Sequence, residues 1–190
     1  MTINYTDANV KNGQLTVSTG GQPFTVNVDI PVNVTIKNAG DGMINFSGSG
    51  THTVQLHSNS NLTIHGGTGT DNIFIAKQVG AVHVDVTGGP GNDVFNNASS
   101  KALVNYEYNF TQGRSSDGAD GIFNFVAGQD HLVLNGVTET QFMQNFTVTN
   151  APGSVGAVIT DGTNDGWSVQ LIGVHATEAQ LLAQGAFVFA

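Results

Sequence analysis

Two stretches, Gly66-Gly67-Thr68-Gly69-Thr70-Asp71-Asn72-Ile73-Phe74 and Gly88-Gly89-Pro90-Gly91-Asn92-Asp93-Val94-Phe95-Asn96, share the pattern G-G-x-G-x-D-x-U-x, where U is large and apolar. They begin 22 residues apart, and each follows an alternating apolar run. Glycines let a backbone turn tightly where a side chain would clash. The apolar residue predicts a strand start that points into a core. Carbonyls of the turn together with the Asp supply oxygen ligands of the kind a calcium ion takes. Gly67, Gly69, Asp71, Gly89, Gly91 and Asp93 are therefore candidate metal-site residues. Such nonapeptides recur in parallel β-helices, where each repeat is one coil of a stack.

The rest of the first half agrees with a coil. Leu15–Val17, Phe24–Ile30, Val32–Ile36, Ile44–Phe46, Val54–Leu56, Leu62–Ile64, Ile73–Ile75 and Val82–Val86 alternate apolar with polar, separated by short polar turns. Placing the two nonapeptides in register stacks Leu62 on Val84 and Ile64 on Val86 inward. It stacks Thr63 on Asp85 and Asn61 on His83 outward. Ser47-Gly48-Ser49-Gly50-Thr51-His52-Thr53-Val54 reads as a decayed third copy with His52 in the Asp place. Its preceding strand is one residue out of phase, which predicts a bulge. The other edge of the coil has no such motif, so the residues support a single row of ions.

Further on, Asp120-Gly121-Ile122-Phe123-Asn124-Phe125-Val126-Ala127-Gly128-Gln129-Asp130-His131-Leu132-Val133-Leu134 is similar to the segment that follows the repeats in serralysin-type C-terminal domains. Gly166–Val174 and Phe187–Ala190 are similar to the type I secretion signal region of the same proteins. With the nonapeptides, residues 40–190 resemble the repeats-in-toxin (RTX) family of secreted bacterial proteins. The resemblance implies an exported calcium-binding scaffold and adds Asp120 as a metal candidate. It implies no activity, since in that family the activity sits in a separate domain. It also implies export through the type I machinery by an uncleaved C-terminal signal. Met1–Gly20 lacks the basic and apolar regions of a cleaved signal peptide.

Composition narrows the functional classes. Fourteen acids against five bases give a net charge of −9, a poor match for nucleic acid or an anionic membrane. No apolar run is long enough to suggest membrane insertion. Eleven of the acids are Asp, whose short carboxylate suits turns and calcium loops, although surface solubility accounts for most of them. Absence of Cys removes disulfides as a staple and leaves bound metal as one substitute. The histidines, His52, His57, His65 and His83 among them, show no zinc-ligand spacing and read as polar surface residues at outward positions or turn edges. A polyuronate enzyme would need convergent cations. Lys11, Lys37, Lys77, Lys101 and Arg114 are instead scattered, and His83–Asp85 has no basic neighbour in sequence.

The expectation is an all-β chain, a right-handed parallel β-helix or β-roll with a β-rich C-terminal cap holding one or two short helices. Residues 1–13 form an N-terminal edge segment, 14–97 the calcium-binding coils, 98–119 a loop-rich connection, and 120–190 the cap and signal region. Two capping boxes, Thr138–Gln141 and Thr177–Gln180, predict the helices, and Gly185 closes the second. Strands Phe146–Thr149, Val155–Thr160 and Trp167–Ile172 would cover the open end of the stack. The expected function is a non-enzymatic, calcium-dependent extracellular protein that self-associates into filaments or a lattice at the cell surface. The alternatives are an adhesin or module binding a cell-surface glycan, and a carbohydrate-active enzyme.

Overall fold

A computed structural model describes residues 1–110, 117–150, 153, 155–163 and 166–190. In chain order the strands are β1 (Ile3–Tyr5), β2 (Gln14–Val17), β3 (Phe24–Val28), β4 (Val32–Ile36), β5 (Gly42–Phe46), β6 (His52–Leu56), β7 (Leu62–His65) and β8 (Asp71–Ile75). There follow β9 (His83–Thr87), β10 (Val94–Asn97), β11 (Leu103–Asn109), β12 (Ala119–Phe123) and β13 (His131–Asn135). The chain ends with α1 (Glu139–Asn145), β14 (Phe146–Thr149), β15 (Gly156–Asp161), β16 (Ser168–Ile172), α2 (Glu178–Ala183) and β17 (Phe187–Phe189). One sheet runs β1-β3-β5-β7-β9-β11-β13-β17, and the other runs β14-β15-β16-β12-β10-β8-β6-β4-β2. From β1 to β13 successive strands fall in opposite sheets, and strands of successive coils pair in parallel. The chain is a parallel β-solenoid.

Alternation explains the core. Val26, Val34, Ile36, Ile44, Val54, Ile64, Val84 and Ile122 stack between the sheets and are almost wholly buried. The expected register holds: Leu62 pairs with Val84, Thr63 with Asp85 and Ile64 with Val86. The apolar residues of the two nonapeptides, Ile73 and Phe95, are both buried and pair with each other. The extra residue expected at the decayed copy is also present. Ile44 pairs with Ile64 while His52 pairs with Asp71, so this coil is one residue longer between the two points. Gly67 sits over Gly48, with the Thr68 N–H on the Gly48 carbonyl at 3.0 Å, which leaves Ser47 as the extra residue at the corner.

The solenoid extends beyond residues 14–97 in both directions. β1 pairs with β3, so the N-terminal segment is a strand of the first sheet. Leu103–Asn109, expected in a loop-rich connection, is the longest strand, with Val104, Tyr106 and Tyr108 buried. Its polar residues Asn105, Glu107 and Asn109 alternate with these three, and the polarity of that outward row hid the strand. The loop expected over 113–118 lies mostly outside the described residues. Both predicted helices form, each with its Thr and Gln in a reciprocal capping box. Gly185, at φ +70, ends α2: its N–H reaches the Leu182 carbonyl and the Ala186 N–H reaches that of Leu181. β15 and β16 continue the second sheet, antiparallel to each other, with β14 as its last strand. No helix among the described residues is long and apolar enough to cross a membrane.

Candidate functional site: a buried polar column at one edge of the coil

The register brings one residue from each coil into line where the chain enters the second sheet. Val32 pairs with His52 and His52 with Asp71. Asp93 and Asp120 continue the line, because Val94 pairs with Asn72 and with Gly121. Asp120 then pairs with Val169. Four polar residues thus stand in a column bounded by a valine at each end. All four are buried: His52 and Asp71 at 0%, Asp93 at 1% and Asp120 at 3% exposure. Such burial is costly unless hydrogen bonds compensate. Asp93 Oδ1 accepts the Asp71 N–H at 2.7 Å, and Asp120 Oδ1 accepts the Asp93 N–H at 2.8 Å. Each carboxylate therefore holds the backbone of the preceding coil.

His52 corrects the expectation that the histidines are surface groups. His65 and His83 are exposed, but His52 lies inside the corner. Its Nδ1 donates to Asp71 Oδ1 at 2.7 Å, and its ring stacks on Phe46 with centroids 4.3 Å apart and planes 5° from parallel. The sequence placed His52 in the Asp position. It gave no sign that Phe46, across the corner, fills the adjoining space.

The two nonapeptides differ in what their Asp finds. Asp71 has both oxygens engaged: Oδ1 by His52, and Oδ2 by the Gly67 N–H at 2.8 Å. Asp93 Oδ2 is buried with no partner, and so is Asp120 Oδ2. Gly89 of the second copy has φ +87 and Gly91 φ +154, so the turn through Pro90 follows a different path from the first. The Tyr108 hydroxyl lies near Asp120, yet neither Tyr108 Oη nor Asp120 Oδ2 completes a hydrogen bond of normal geometry. Burial raises Asp93 to about 8 and Asp120 to about 7, with neighbouring acids adding to both shifts.

The motif glycines have a packing reason of their own. A Cβ on Gly69 would lie 2.0 Å from the Gly50 carbonyl oxygen, and one on Gly91 would lie 1.9 Å from that of Gly69. The carbonyl oxygen of Gly67 would likewise lie 2.5 Å from a Cβ on Gly89. The turns stack so closely that only glycine fits, with or without an ion. The fit to calcium is thus local. Asp93 and Asp120 each offer a buried oxygen without a partner, beside turns whose carbonyls face the next coil, and this is a hard oxygen donor set. Asp71 offers none. Among the described residues no three His, Asp or Glu side chains gather closely enough to hold a metal alone, so backbone carbonyls would complete any such site.

Two further groups fall elsewhere. His83 Nε2 and Asp85 Oδ1 are 2.8 Å apart on the exposed face of the first sheet, and Asn105 bonds to both. Asp130, part of the segment similar to serralysin-type domains, enters β13 on the other edge of the coil. It accepts the Val104 N–H at 3.1 Å, the Val126 N–H at 3.0 Å and the Asn97 amide at 3.2 Å, which makes it a brace between coils. Comparison with protein-family models, with curated proteins and with solved structures found no match for this chain.

Proposed function

We propose that this chain is a calcium-stapled structural protein, a non-enzymatic solenoid that works outside the cell by holding shape and by joining to copies of itself. The observation that carries the reading is the pair of buried, unpartnered carboxylate oxygens, Asp93 Oδ2 and Asp120 Oδ2, on consecutive coils of one edge. A cation that bridges two coils there stabilises only the folded state, so stability rises with its free concentration. Asp93 and Asp120 supply the charged oxygens. Gly89 and Gly91, with Gly67 and Gly69 below them, supply the turn. Export through a type I channel by a C-terminal signal follows from the resemblance to RTX proteins, as does folding where calcium is plentiful.

Self-association draws on the sheet ends. β1 and β2 are terminal strands of their sheets, and the outer side of β2 is bridged among the described residues at Gln14, by Lys11. Such an edge can pair with another chain. A head-to-tail contact made this way yields filaments when its rotation does not close.

Isothermal titration with calcium after removal of divalent ions, with circular dichroism in parallel, tests the reading. Saturable binding and a raised melting temperature are expected. An apo protein that takes up no calcium and melts at the same temperature with and without it overturns the calcium role. A calcium-binding but strictly monomeric protein moves the function to the glycan-binding alternative, for which the exposed His83–Asp85–Asn105 network is the polar surface to test.

A further inference from the structure

We propose that His52 is a built-in substitute for a cation: its imidazole closes the first nonapeptide, so that Asp71 binds no metal and the column accepts ions only from Asp93 onward. The inference rests on the calcium reading for the open part of the column. It concerns the part that reading leaves undivided, since by motif alone Asp71 and Asp93 are equivalent.

Register, hydrogen bonds and ring packing carry it. His52 occupies the Asp position by register, pairing with Asp71 as Asn72 pairs with Val94 one step on. Its Nδ1 lies 2.7 Å from Asp71 Oδ1. A carboxylate oxygen accepts, so this nitrogen carries the proton in either protonation state of the ring. The second oxygen of Asp71 takes the Gly67 N–H at 2.8 Å. Both oxygens thus have protein donors, while Asp93 and Asp120 each keep one free. Phe46 holds the ring in place. It packs flat against His52 at 4.3 Å, at the corner where Ser47 lengthens the coil. The insertion and the His therefore belong together: the longer corner lets Phe46 cover an imidazole, which is larger than a carboxylate. The consequence is polarity along the solenoid. Up to Asp71 every carboxylate oxygen of the column has a protein donor, and the buried atom without a partner there is His52 Nε2, a nitrogen rather than the oxygen a calcium ion takes; Asp93 and Asp120 each leave one oxygen for an ion.

The test is calcium titration of four proteins, the wild type, His52→Asp, His52→Asn and Asp71→Asn, each checked for folding by circular dichroism. His52→Asp replaces the donor by a second carboxylate beside Asp71, and its calcium stoichiometry is expected to exceed that of the wild type by one ion per chain. Without calcium it melts lower than the wild type, and calcium restores it. His52→Asn keeps a donor to Asp71 and keeps the wild-type stoichiometry. Asp71→Asn is expected to lower the melting temperature without removing an ion. A folded His52→Asp with unchanged stoichiometry overturns the proposal. Loss of an ion in Asp71→Asn overturns it as well, and that variant decides the matter if His52→Asp does not fold. A wild type that binds no calcium, beside a His52→Asp that binds one ion, refutes the calcium reading of the native column and leaves the role of His52 standing.

Discussion

At the scale of single residues, the column turns protonation into stability. Burial raises Asp93 to about 8 and Asp120 to about 7, and Asp130 also lies above its ordinary value. The unfolded chain releases these protons near pH 4. Between that pH and the folded values the native state holds more protons than the unfolded state, so stability is greatest in acid and is lost as pH rises toward 8. Each such proton contributes a slope of about 1.4 kcal/mol per pH unit. Urea unfolding of metal-free protein at a series of pH values is expected to show stability falling from pH 5 to pH 8, and Asp93→Asn is expected to flatten the curve. Saturating calcium, in the proposed reading, flattens it too, because the ion replaces the proton. Stability that rises across this range in chelator would contradict the raised values. The stacked glycines give a second prediction. Gly69→Ala sets a methyl 2.0 Å from the Gly50 carbonyl oxygen, an immovable backbone atom. Forced coil separation there is expected to cost about 2–3 kcal/mol by denaturant unfolding. A neutral Gly69→Ala would mean that the turns are not stacked this closely.

At the scale of elements, the C-terminal strand is part of the body. β17 pairs with β13, and Phe142 of α1 packs on Phe187 and Phe189 at 4.5 and 5.5 Å. Phe187→Ala is expected to destabilise by about 3 kcal/mol, and Val188→Ser, at a position 40% exposed, by far less. This matters for export. The proposed export signal includes residues 187–190, and here Phe187–Phe189 is a strand paired with β13. Deleting the strand loosens the fold, so loss of secretion on deletion would not by itself test the proposed signal. Exposed Val188 is the position at which export can be examined while stability is held. The division at His52 makes a further prediction at this scale. In chelator, hydrogen exchange should stay slow across β4, β6 and β8 and quicken in β10 and β12, and calcium should slow β10 and β12 again. Uniform exchange with and without calcium would place no part of the stack under the ion's control.

At the scale of the molecule, the two ends differ. The C-terminal end carries α1, α2 and the antiparallel strands β14 and β15, which turn the last coils away from simple stacking. The N-terminal end stops at β1 and β2, terminal strands like β14 and β17 at the other end, with Lys11 bridging Gln14 on the outer side of β2 and no α-helix among the described residues there. Gly13 and Val17 give their carbonyls to Asn33 and Lys37 of the next coil. By the alternation of a parallel ladder, Thr16 then faces the open edge. If assembly runs through that edge, Thr16→Pro removes a donor from it without touching the ladder to β4. Light scattering at rising calcium is expected to show growth for the wild type and much less for Thr16→Pro, with both proteins folded. Equal growth would move the contact to another surface.

Alternation alone made the strands between Gln14 and Val86, their inward faces and their stacking legible in the sequence by itself. Alternation has only two phases, and the two nonapeptides fixed the coil length between Leu62 and Phe95. Local chemistry also determined both helices, since a Thr with a Gln three residues on satisfies the free N–H groups of a helix start wherever it falls. What each Asp of those motifs meets depends on how the coils stack. Asp71 and Asp93 are alike in sequence, yet one is closed by His52 from the coil below and the other retains an unpartnered oxygen. Tertiary structure also decided that His52 is buried and that polar-looking Leu103–Asn109 is a core strand. The partners of Asp71 and of Leu103–Asn109 lie about one coil away along the chain, across a stacking distance of about 4.8 Å. No local pattern records which side chain will occupy that neighbouring place.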